Sequence, residues 1–151
     1  MKNEKQLMSQ ALSCARRAAA HDDVPIGAVV VCAGRVIARG ENRVQKNKDA
    51  TQHAEIVAIR SAAKKLGRKF LDGCEIYITL EPCAMCAAAL SFARIGRVVF
   101  AARDEKGGGI LNNARIYETD RHLWKPAVSE MPEYAAESAE MLKEFFRKKR
   151  G

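Results

Sequence analysis

The sequence predicts an α/β fold of three layers, a central sheet with helices on both faces. Three observations lead there. Leu7, Met8, Ala11, Leu12, Ala15, Ala18 and Ala19 recur at helical spacing near the start. Two apolar runs then flank an Ala-Gly pair, as in a hairpin. After it, helix-like and strand-like segments alternate, which implies right-handed crossovers and a sheet covered on both sides.

Taken in order, residues 4 to 21 read as an amphipathic helix, and "PIGAVVVCAGRVIARGEN" as a hairpin centred on Ala33 and Gly34. Polar residues 43 to 50 read as a loop. Thr51 is placed to cap a helix from about Gln52 to Leu66, which Gly67 closes. The β-branched and aromatic content of "EIYITL" predicts a buried strand. Pro82 suits the first position of the next helix, where its missing N–H is no loss, and that helix runs to about Phe92. "RVVFAA" is a further strand and "KGGGILNN" a loop. A final helix spans Ala135 to Lys149, with Ala139, Leu142, Phe145 and Phe146 on or near its apolar side.

With 151 residues, 48% of them hydrophobic, the chain suits one domain around a single packed core. No apolar run is long enough to span a bilayer, and the N-terminus lacks the apolar segment of a signal peptide, so a soluble cytoplasmic protein without membrane partners is expected. Five cysteines are an odd number in a chain that needs no staples, which excludes a secreted disulfide framework. Cys14, Cys32 and Cys74 read as small buried hydrophobes. The net charge of +8 attracts a polyanion without establishing that one is bound.

The chemistry concentrates in "LEPCAMC". Cys83 and Cys86 share one face of the first turn of a helix, whose dipole favours thiolates. A redox pair or two core thiols would explain a CxxC on its own. Two cysteines leave a zinc site incomplete, however, and no second CxxC completes a structural four-cysteine site. His53 in "HAE", also in the opening turn of a helix, is the natural third ligand, and the fourth position stays open for water. Three protein ligands plus water is a catalytic arrangement, in which zinc lowers the pKa of water to about 7. Glu55 leans toward the same helix start and suits a proton shuttle rather than a ligand.

"HAE" followed by "PCAMC" resembles the signature of the cytidine/deoxycytidylate zinc deaminase superfamily. "VPIGAVVV", "GENR", "HAEIVAIR", "YITLEPCAMCAAAL", "FARIGRVVFAARD" and "EFFRKKR" are similar, in order, to bacterial tRNA-specific adenosine deaminases, which make inosine at the anticodon wobble base. The resemblance implies a three-layer α/β/α cytidine-deaminase-like fold with a central mixed sheet of about five strands and helices on both faces, one domain over residues 1 to 151, and zinc held by His53, Cys83 and Cys86. It also implies protons moved by Glu55, a flipped purine bonded by Asn42, and a tRNA substrate, foremost an arginine tRNA. An amide offers donor and acceptor together, which suits a purine edge, although Asn42 equally suits a turn after a strand.

By the same resemblance the backbone at Ala54 and Cys83 borders the metal, with Pro82 starting its helix. Asp104 meets the ribose of the preceding nucleotide, and a carboxylate accepting from a 2′-OH favours RNA over DNA. Lys106, Arg147, Lys148, Lys149 and Arg150 then face phosphates, making the helix over about 135 to 149 a basic RNA-contacting element. Of Phe145 and Phe146, one ring is expected in the core and the other beside an unstacked base. Residues 107 to 130 depart from the family pattern, matching only at His122 and Pro126, and their three glycines read as a surface turn. The small, apolar "AMCAAALSFARI" suits a helix packed on the sheet or on a second subunit, and the resemblance implies a homodimer. Free-base guanine or cytosine deaminase is the alternative, sharing the zinc residues without a use for Asp104 or the basic tail. A riboflavin-pathway pyrimidine deaminase would need room for a reductase domain, and a catalytically dead relative would not need Glu55.

Overall fold

A computed structural model describes residues 3–151. Helix α1 (Glu4–Ala20) is opened by a capping box in which Asn3 and Gln6 satisfy each other's backbone N–H groups. Its apolar stripe, from Leu7 to Ala18, is buried as the periodicity predicts. Strands β1 (Gly27–Cys32) and β2 (Arg35–Glu41) form the hairpin. Its turn residues Ala33 and Gly34 both have positive φ, 53° and 77°, the two-residue geometry that matches strand twist.

Helix α2 (Ala54–Leu66), strand β3 (Cys74–Leu80), helix α3 (Ala84–Phe92) and strand β4 (Arg97–Ala102) follow. A short α4 (Ile116–Thr119), an edge strand β5 (Ala127–Glu130), one 3-10 turn (Pro132–Tyr134) and α5 (Ala135–Arg150) complete the order. The sheet runs β2-β1-β3-β4-β5; β1 is antiparallel to β2 and β3, whereas β3, β4 and β5 are parallel.

Alternate strand residues feed two cores. Ala28, Val30, Ile76, Ile78, Val98 and Phe100 pack under α2, α3 and α4 on one face. Val29, Val31, Tyr77, Val99 and Ala101 pack under α1 on the other, joined by Met141 of α5. The three layers expected from the sequence are therefore present. Among the described residues no helix is long and apolar enough to cross a membrane.

Three local expectations are corrected. Thr51 does not cap α2, because its hydroxyl and its N–H both bond the Asp49 carboxylate, at 2.7 and 2.9 Å. The first helical bond instead runs from Val57 N–H to the His53 carbonyl, which makes His53 the cap. Pro82 likewise lies before the cap of α3 rather than at its first position, since Ala87 N–H bonds the Cys83 carbonyl. On α5 the buried residue is Ser138, whose hydroxyl donates to the Thr79 carbonyl at 2.6 Å, while Ala139 is exposed.

One glycine fixes where α2 begins. A Cβ at Gly40 would lie 2.3 Å from the Ala54 carbonyl oxygen, so β2 and the first turn of α2 meet backbone to backbone. That contact sets the depth of His53 and Glu55 against the sheet.

Candidate active site

The N-termini of α2 and α3 converge beside the carboxyl end of β3, where open α/β sheets place ligands. His53 and Cys83 are the cap residues, and neither uses its side chain to cap its own helix. The side chains turn toward each other instead. His53 Nδ1 lies 3.6 Å from the sulfurs of both Cys83 and Cys86, and all three ligand atoms fall within 4.8 Å of one another. Tetrahedral ligands at about 2.3 Å for sulfur and about 2.05 Å for nitrogen stand about 3.5 Å apart, so the donor set is already at metal-binding spacing. The thiols are asymmetric. A hydrogen bond from Cys86, with His53 and the Cys86 N–H, outweighs burial and draws Cys83 down to about 4, whereas donation to Cys83 and burial push Cys86 up.

Glu55 is the buried acid of the site, 4% exposed. Burial, reinforced by the charge at Cys83, pushes its carboxyl up to about 7 against its own backbone N–H, His53 and Cys86. A carboxyl at that value exchanges its proton near neutral pH, as general acid–base work requires. The structure thus brings together His53, Glu55, Cys83 and Cys86. Ala54 is buried directly behind His53, and the carbonyl of buried Pro82 accepts the Gly109 N–H at 2.8 Å.

A cleft of about 620 Å³ opens beside His53, bordered by Asn42, Val44, Gln45, Phe145, Phe146 and Lys149. Asn42 is 5% exposed, and its buried Oδ1 has no partner among the described residues. A buried amide oxygen left unpaired costs stability unless a ligand donates to it. Phe145 and Phe146 meet edge to face with centroids 5.4 Å apart. Neither ring is in the core: Phe145 is half-buried and Phe146 is 43% exposed, because this end of α5 overhangs the cleft.

Asp104, Lys106 and Arg150 are not among the residues lining that cleft. The Asp104 Oδ1 accepts the N–H groups of Lys106 and Gly107, forming the turn that presents the exposed Lys106 side chain. In the tail, Arg147 pairs with Glu144 and Lys149 with Asp22 of the α1–β1 turn, while Arg150 is exposed. Such exposed pairs are worth about 0–1 kcal/mol, so a phosphate can replace the carboxylates.

The sequence reading missed Glu81. Its buried carboxylate accepts the backbone N–H groups of Asp104, Ile110, Leu111 and Asn112 and the Asn112 side-chain amide. The 104–112 loop is thereby tied to the residue preceding Pro82 and Cys83. The glycines expected as a surface turn are part of this joint. A Cβ at Gly108 would lie 2.4 Å from the Glu81 carboxyl carbon, and one at Gly109 2.5 Å from Ala84 N. His122 is exposed beyond the joint and Pro126 is buried before β5.

Comparisons agree with this geometry. A family model described as MafB19-like deaminase matches residues 2–150. The tRNA-specific adenosine deaminase of Agrobacterium fabrum is 48% identical over 151 residues, covering 99% of this chain and 98% of that protein. That of Aquifex aeolicus is 40% identical, covering 97% and 96%. A solved structure from work on A-to-I editing by tRNA:A34 deaminases at the wobble position of transfer RNA has a TM-score of 0.82 at 48% identity, covering 83% of this chain and 97% of that one. The guanine deaminase of Nitrosomonas europaea, with a TM-score of 0.81 at 24% identity, shares the fold over 96% of this chain and 85% of its own. The chain belongs to the MafB19-like deaminases and, within them, to the tRNA-specific adenosine deaminase family. It is a deaminase.

Proposed function

We propose that the protein is a zinc-dependent hydrolase that converts adenosine to inosine at the first anticodon position of tRNA, with an arginine tRNA as its foremost substrate. The observation that carries this reading is the His53, Cys83 and Cys86 donor set beside buried Glu55, with His53 and Asn42 lining one cleft. His53, Cys83 and Cys86 hold the zinc. When bound there, zinc supplies hydroxide at neutral pH.

Glu55 takes the proton that water gives up and passes it to a ring nitrogen of the purine; it then takes the proton of the hydroxyl now on carbon 6 and delivers it to the amine, which leaves as ammonia while the carbonyl of inosine forms. One carboxyl serves both relays because burial holds its pKa at about 7, near the working pH. Asn42 positions the base by accepting a hydrogen bond at its unpaired Oδ1, and the buried Ala54 and Pro82 close the pocket around the metal. The Phe145–Phe146 pair gives an apolar edge at the cleft mouth on which an unstacked base can lie.

Asp104 receives the ribose hydroxyl of the preceding nucleotide, while Lys106, Arg147 and Arg150 meet phosphates. Residues 1–151 work as one domain in the cytoplasm, with α5 as the basic RNA-contacting element. Two copies pair through α3, a nine-residue helix without a charged side chain that leaves Met85 38% and Phe92 72% exposed.

Free-base guanine deamination is the second reading, favoured by a solved Bacillus subtilis guanine deaminase that is 41% identical over 68% of this chain. Mass analysis of an anticodon stem-loop RNA after incubation separates the two. Inosine at the first anticodon position supports the proposal; unchanged RNA together with rapid conversion of guanine to xanthine refutes it.

A further inference from the structure

Outside the zinc site, His21 stands between two carboxylates where α1 ends. Its Nδ1 lies 3.0 Å from Asp23 Oδ2 and its Nε2 2.6 Å from Glu41 Oε2. A neutral imidazole has one N–H, so it can satisfy one of these carboxylates and must turn a lone pair on the other.

Both carboxylates have other donors that require them ionised. Asp23, 1% exposed, accepts the N–H groups of Gln45 at 2.7 Å and Lys46 at 3.1 Å. Glu41 Oε1 faces Arg17 at 3.4 Å and Arg43 at 3.7 Å. Burial raises the Glu41 carboxyl, but His21, Arg43 and Arg17 outweigh it and hold it below the usual carboxylate range. The ring therefore bridges two carboxylates that are each held by other donors.

What the ring joins explains its use. Glu41 immediately precedes Asn42, whose backbone N–H bonds Ile26 O, and Arg43 N–H bonds Gln52 O beside His53. Asp23 holds the backbone of Gln45, which borders the cleft with Asn42 and Val44. The ring thus connects the end of β2 to the next turn of the loop, on either side of Asn42.

We propose that His21, with one ring nitrogen on Asp23 and the other on Glu41, is a positioning residue that holds Asn42 and the Val44–Gln45 wall in the arrangement that binds the base. The inference rests on the reading of Asn42 as the base-binding amide. With the ring in place the two carboxylates are tied together; without it the wall loosens. The charged groups around it are Asp23, Glu41, Arg17 and Arg43, with the Asp22–Lys149 pair alongside.

Steady-state kinetics test this on the zinc-loaded protein. Kinetics on tRNA bearing adenine at the first anticodon position should give His21→Gln a KM raised about tenfold with kcat within about threefold, because uniform binding is what is lost. His21→Lys, whose ammonium can donate to both carboxylates, should recover part of that loss. Unchanged KM in His21→Gln, or an equal fall in kcat and zinc content, overturns the positioning role. Should His21→Gln fail to fold, His21→Lys decides: a KM raised about two- to tenfold with kcat and zinc kept supports the role, and an unchanged KM or lost zinc overturns it. Asn42→Ala separates the layers, since no effect there sinks the Asn42 reading, whereas an effect there with none in His21→Gln sinks only the role of His21.

Discussion

Glu81 accepts the backbone N–H of Asp104 at 3.0 Å, and through this bond the residue that opens the metal-ligand turn also fixes the loop assigned to RNA. With Ile110, Leu111 and Asn112 donating to the same carboxylate, a buried charge is matched by backbone dipoles rather than by a cation. Glu81→Gln puts an amide NH₂ against backbone N–H groups and should destabilise the fold by about 2 kcal/mol or more. Burial raises this carboxyl, but the Asp104 N–H, the Asn112 amide and the Leu111 and Ile110 N–H groups outweigh it and hold it below the ordinary value. A depressed carboxylate contributes stability above its unfolded pKa of about 4.3 and loses it as pH falls through its folded value. Urea unfolding of wild type and variant should therefore converge in acid and diverge toward neutral pH; parallel curves would remove the role.

Metal content follows the three-ligand geometry. Wild type should carry one zinc per chain, and His53→Ala, Cys83→Ala or Cys86→Ala should each lose it, because two ligands do not sustain a site. Atomic absorption finding full zinc in any of the three would break the ligand assignment.

Glu55→Gln should retain zinc and fold while losing turnover by about 10²–10⁴-fold, the usual worth of a positioned acid–base group. The amide fills the same buried space without a proton to exchange, and relieved of a buried carboxyl it should unfold at equal or higher temperature. Activity within a few-fold of wild type would take Glu55 out of the mechanism.

Dimerisation through α3 should fail when its exposed apolar face gains a charge. Phe92→Glu should elute and sediment as a monomer with zinc retained, where wild type is a dimer; a wild-type monomer, or a dimeric variant, would place the contact elsewhere.

The legible part of the fold was the part with a full period. The stripe from Leu7 to Ala18 and the hairpin around Ala33 and Gly34 lie where the pattern puts them. Neither α4 nor β5 was legible, since "IYET" and "AVSE" are each four residues long, too short to express a repeat. The face of α5 was missed because a hydrogen bond, from Ser138 to Thr79, seats it on the sheet, while the residues beyond overhang the cleft. In the site, His53, Glu55, Cys83 and Cys86 were readable as residue types at helix starts. Glu81 was not, because its partners are mostly backbone N–H groups of residues 104–112, which any residue except proline could supply. His21 was hidden likewise, since only the folding of β2 beside the end of α1 brings Glu41 to it.

Substrate choice is measured directly by one competition. Equal concentrations of tRNA with adenine at the first anticodon position, free adenine, guanine and cytosine are offered to the zinc-loaded enzyme, and kcat/KM is determined for each. Binding energy from neighbouring nucleotides should make tRNA the best substrate by orders of magnitude, with a preference that falls as salt rises and flattens when residues 147 to 151 are removed. Salt-insensitive turnover of guanine or cytosine, with no inosine formed in tRNA, would contradict the account.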